Sequence, residues 1–104
     1  MKAFHLLNET ELRIKAIIKL GDATSEEAVL CLRDVALDSK EKYSAATIES
    51  LEKIGNNHAM KALEHLIIHL GYIYNVRAAE ALAVIQKKEP IKILEQFGFN
   101  KDGY

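Results

Sequence analysis

The sequence predicts an all-α fold built from repeated helix pairs, about six helices in all. Three observations carry that expectation. First, apolar residues recur with the helical period along most of the chain, as in Ile48, Leu51 and Ile54, or Leu63, Leu66, Ile67 and Leu70. Second, strand signals are absent, with no sustained alternation and no Asn-Gly hairpin turn. Third, the chain repeats itself. Leu32, Leu63 and Leu94 are spaced by 31 residues, and Val35, Leu66 and Phe97 keep that spacing. So do Tyr43 and Tyr74, and Leu51 and Leu82. A self-similar period of this length is the mark of stacked helical units.

The elements follow in order. Residues 3–7 read as the tail of a preceding helix. Asn8 and Glu11 form a capping-box pattern that opens a helix over 9–20, with Leu12, Ile14, Ile17, Ile18 and Leu20 apolar. Leu20-Gly21 closes it. Thr24 and Glu27 repeat the capping pattern for a helix over 25–37. Asp38-Ser39-Lys40 turns the chain into a helix over 40–54, where Ala45 and Ala46 permit a close neighbour. Gly55 stops that helix, since a left-handed residue is cheap for glycine. Asn56 and Asn57 supply side-chain oxygens to cap a helix over 57–70. Gly71 breaks it, and a fifth helix covers 75–88, with Gln86 in the place that Gly55 holds one unit earlier. Pro90 suits the first turn of a last helix ending near Gly98, where a missing N–H costs nothing. Residues 100–104 are expected to fray. The units run roughly 1–21, 22–55 and 56–86, with a partial one over 87–104, in a single domain over 1–104. The loop after Gly21 holds three residues more than its counterpart after Gly55, and an insertion there leaves the helices in register.

Composition bounds the function. The chain has 104 residues, 49% hydrophobic and 28% charged, enough for one core and an ordinary charged surface. The formal net charge of −1, the absence of Trp and the mixing of both signs along the helices argue against nucleic acid as a partner. One cysteine excludes an intramolecular disulfide and a cysteine-rich zinc site. No apolar run approaches the roughly 18 residues of a membrane span. The opening residues carry too short an apolar block for a signal peptide, so a cytoplasmic location is expected. Phosphate-cradling glycine loops are absent.

A resemblance narrows the fold further. Ala45-Ala46 near a helix start, then Leu51-x-x-Ile54-Gly55, a short polar turn and Ala59-x-x-x-Leu63, together resemble HEAT-like repeats. The similarity is strongest to the short repeats of phycobilisome-lyase proteins. Val76-Arg77-Ala78-Ala79-Glu80-Ala81-Leu82 is similar to that family's Val-Arg-x-Ala-Ala-x-x-Ala-Leu, two residues tighter. The resemblance spans roughly residues 9–97. It departs from the pattern in lacking the usual Asp-Pro turn, in placing Gln86 where a glycine is usual, and in holding only about three repeats. The resemblance implies a right-handed α-solenoid whose inner face carries helices one, three and five.

Candidate functional residues follow from that frame. Lys15, Glu49 and Glu80 fall once per unit on the inner helices. With Lys19, Lys53, Arg77 and Lys87 they would form a mixed-charge contact surface, the ordinary alternative being a solvated face. The polar stretch Asp38–Lys42 becomes Tyr72-Ile73-Tyr74 one unit later, an apolar and aromatic turn that suits a contact or covers the end of the array. Phe97 and Phe99 leave the last unit apolar, which suggests self-association, with a two-fold dimer the simplest closure. His65 and His69 are one helical turn apart and could share a metal. No third ligand is evident, so surface histidines are the plainer reading and no metal or cofactor is expected. Cys31 is expected on or near the buried side of its helix, as a small hydrophobe. Stacked helix pairs make extended surfaces rather than deep pockets. The expected function is therefore a small non-catalytic protein-binding scaffold, its protein partner unidentified. The alternative, a subunit or remnant of a phycobilin lyase or related chromophore-handling enzyme, comes from the resemblance alone.

Overall fold

A computed structural model of the chain describes residues 9–38 and 42–98. Six helices follow one another: α1 (Glu9–Leu20), α2 (Glu26–Asp38), α3 (Ser44–Ile54), α4 (Asn57–His69), α5 (Tyr72–Gln86) and α6 (Pro90–Gln96). The described residues contain no strand. The expectations for residues 3–8, 99 and 100–104 lie outside this set.

Most helix ends are set by local chemistry. Asn56 caps α4 by accepting the Ala59 N–H at 2.9 Å. Gly55 takes the left-handed conformation, φ 62°, and its N–H returns to the Leu51 carbonyl. Pro90 sits in the first turn of α6. Three helix starts differ from the sequence-based expectation. The cap of α2 is Ser25, whose Oγ accepts the Ala28 N–H at 3.2 Å, not Thr24. The third helix starts at Ser44 rather than 40, with residues 39–41 outside the described set. The fifth starts at Tyr72 rather than 75, because extended Gly71 caps it and the Gly71 carbonyl accepts the Tyr74 and Asn75 N–H groups.

Each helix packs on its successor, and α1 also packs on α3, α2 on α4, and α3 on α5. Thus α3 lies between α1 and α5, which do not touch. The assembly measures 54 × 27 × 18 Å. One apolar cluster runs through it, with Leu32, Leu51, Leu63, Leu66, Ile67, Leu82 and Ile93 fully buried. Among the expected core positions, Ile48 is also buried and Ile54 packs against the cluster's edge. Helix α1 contributes least. Ile17 is its buried residue, while Leu12 and Ile18 are exposed.

Polar links join the first two helix pairs. Buried Ser50 on α3 donates to the Ile17 carbonyl of α1 at 2.9 Å. The helices approach so closely there that a Cβ on Gly21 would lie 3.2 Å from Ser50 Cβ and 3.1 Å from the Ile18 carbonyl. Gly21 and Gly55 therefore stand at equivalent places for different reasons, one for space and one for its backbone angle. The longer loop after Gly21 also has a use. Lys53 at the end of α3 donates to Asp22, and Asn56 Nδ2 donates to the Thr24 carbonyl at 3.0 Å. The inserted residues thus grip the next helix turn.

Helix α5 ends at Gln86, two residues before the expected 88, and its stop falls one residue later than the glycine place of the repeat. Its left-handed residue is Lys87, φ 59°, not Gln86 in the glycine place. A side chain in that conformation costs about 1–2 kcal/mol. Lys87→Gly removes that cost but loosens the unfolded chain, so a net gain of about 0.5–1 kcal/mol is expected. A higher urea midpoint at unchanged slope would record it.

Candidate functional site

The outward sides of α1, α3 and α5 form the best candidate for a contact face. Residues three or four apart share one side of a helix. That rule aligns Leu12, Lys15 and Lys19 on α1, Ala46, Glu49 and Lys53 on α3, and Ile73, Arg77, Glu80 and Val84 on α5. All are exposed except Ala46, which is partly buried. Because α3 touches both α1 and α5, the three stripes belong to neighbouring helices. The charges the repeat singled out are therefore on adjoining helices and open to solvent. They are not equally free. The Lys53 ammonium is engaged by Asp22, and that hydrogen bond, with the attraction of the charge, holds the Asp22 carboxyl below its ordinary range.

Sequence reasoning offered Ile73 as a contact residue but missed Leu12 and Val84, the rest of the apolar part of this face. Leu12 is 49% exposed, and Ile73 and Val84 are each 61% exposed. They flank the charged positions on α1 and α5. The available signal was the 31-residue spacing from Lys53 to Val84, at which an exposed lysine becomes an exposed valine.

The aromatic stretch is corrected. Tyr72, Ile73 and Tyr74 are the first turn of α5, not a loop between helices. Ile73 points outward with Arg77 and Glu80, whereas Tyr74 packs against the core. The Tyr72 side chain lies outside the described set. Phe97 is half-buried against the chain's own core, and Phe99 is not among the described residues.

Cys31 is also corrected. It is exposed, and it lines a cleft with Arg13, Val35 and Tyr43. The His65 and His69 rings do come together, with centroids 4.2 Å apart and planes tilted by 34°. Burial, then the neighbouring His69 and Arg33 charges, lowers the tendency of His65 to take a proton. Among the described residues no three His, Cys, Asp or Glu side chains group as metal ligands. No helix in that set is long and apolar enough to cross a membrane.

Comparisons of this chain with known protein families, with curated proteins and with solved structures find no match.

Proposed function

We propose that the chain is a small non-catalytic module of the HEAT-like kind, a short right-handed α-solenoid that holds a protein partner on its α1, α3 and α5 face in the cytoplasm. The packing of each helix on its successor, and of α1, α3 and α5 in sequence, suits stacked helix pairs. The observation that carries the functional reading is the exposure of Leu12, Ile73 and Val84 beside Lys15, Lys19, Glu49, Arg77 and Glu80. Aliphatic anchors surrounded by charges of both signs are what a specific interface uses, the apolar groups for affinity and the charges for orientation.

The test compares the wild type with a variant carrying Glu80→Lys and Val84→Asp. Both positions are exposed, so each change should leave stability within about 0.5 kcal/mol. A partner captured from the native cell by the wild type should bind the variant at least about tenfold more weakly, a loss of about 1.4 kcal/mol. Equal binding of the variant would remove the partner from this face. Sedimentation of the purified chain at tens of micromolar, on the order of a moderate dissociation constant, identifies the case in which the partner is a second copy.

A further inference from the structure

A separate groove of about 230 Å³ lies between α2 and α4. Its polar lining is Glu26 and Arg33 from α2 and His58, Lys61 and His65 from α4. Leu30 adds exposed apolar surface on its α2 wall. His69 stacks on His65 one turn further along, at 4.2 Å. Three histidines and a lysine at positions 58, 61, 65 and 69 share one side of α4, since their spacings of three and four follow the helical turn.

We propose that this groove binds a carboxylate-rich peptide segment of a partner protein, and that it does so more tightly as the pH falls below neutrality. The charge balance supplies the reason. Two fixed cations, Arg33 and Lys61, stand beside two carboxylates, Glu26 and Asp34, and Asp34 is paired with Arg33 at 3.0 Å. With neutral imidazoles the groove therefore has little net attraction for an anion. Each imidazole that takes a proton adds an uncompensated positive charge. Burial, then the His69 and Arg33 charges, disfavours the His65 imidazolium and Asp34 favours it, so a bound carboxylate is what tips His65 toward its protonated form. No charged side chain is buried in α3 or α5, the other helices packed on α4. Two adjacent imidazolium rings repel one another, and a carboxylate between them and Lys61 relieves that repulsion. Binding and protonation thus favour each other. A peptide rather than a single ion fits the groove's extent along two helices and its apolar Leu30 wall.

The probe is a hexaglutamate peptide, titrated into the isotopically labelled full chain and followed by NMR at about 25 mM salt, where screening is weak. Glutamate, with a pKa of about 4.3, stays ionised at both pH 5.5 and pH 7.5. The expected result is a set of amide shifts confined to α2 and α4, with affinity about tenfold or more higher at the lower pH. The His65 imidazole should also titrate at a higher pH with peptide present, as reciprocal linkage requires. Lys61→Gln and His65→Gln should each weaken binding several-fold while keeping a dispersed, folded spectrum. Affinity independent of pH, or of both substitutions, would overturn the proposal. Inorganic phosphate producing the same shifts at the same concentrations would overturn the peptide assignment in favour of a simple anion site.

Discussion

Leu63→Ala will destabilise the fold by about 2–5 kcal/mol, the usual cost of opening a cavity at a fully buried leucine. Leu63 has 0% exposure and sits midway along α4, which packs on α2, α3 and α5. No single neighbour can move in to fill the space, because each is itself held by further helices. For a domain of this size a loss of 1 kcal/mol lowers Tm by about 4–8 °C, so a drop of at least about 8 °C is expected. Equilibrium urea unfolding separates this from a change in the unfolded chain, since the midpoint should fall at constant slope. Leu12→Ala is the matched control. Leu12 is the same residue type, but it is 49% exposed on α1, so its truncation should stay within about 0.5 kcal/mol. A comparable loss at both positions would mean that the helical register places the core wrongly.

That contrast shows what periodicity could and could not reveal. The buried leucines at 32, 63 and 94 were legible, because the 31-residue spacing carries the same face of each helix into the core. Gly55 and Asn56 were legible too, because a left-handed stop and a side-chain cap are local events. Periodicity read Leu12 and Cys31 less well. Their exposure depends on how neighbouring helices pack, which no local pattern encodes. The Lys53–Asp22 pair and the Ser50–Ile17 hydrogen bond were invisible for the same reason, since they join residues more than thirty apart.

The candidate face was half legible. Its charges stood out because Lys15, Glu49 and Glu80 recur in register. Leu12 and Val84 did not, because an apolar residue on a predicted helix is first assigned to the core, and Ile73 stood out only as part of an apolar turn. Ile73 joins this face only once α5 is seen to start at Tyr72, which puts it on the Arg77 and Glu80 side. The sequence reading begins this helix at Asn75. Here Asn75 is buried inside the helix and the cap is Gly71.

Helix α5 also explains the second large effect. Ala78→Leu should cost about 1–3 kcal/mol through overpacking. Ala78 and Ala79 have no exposed surface, and Ala81 and Ala83 have almost none. Helix α5 packs on α3, α4 and α6, so its small residues allow three neighbours to approach it closely. Its apolar residues accordingly spread round most of its circumference, which weakens the one-sided pattern that marks the other helices. Helix propensity does not decide the outcome, because alanine and leucine are both good helix formers. Leucine adds three carbons with nowhere to go, so either its own rotamer or the α5 backbone must give. Calorimetry should show a fall in Tm of about 4–24 °C, from 1–3 kcal/mol at the same conversion. Far-UV circular dichroism should stay unchanged, because the helices persist while their packing loosens. A leucine accepted there without loss would mean that slack exists between α5 and its neighbours. Close approach through small residues would then no longer account for the alanine-rich face.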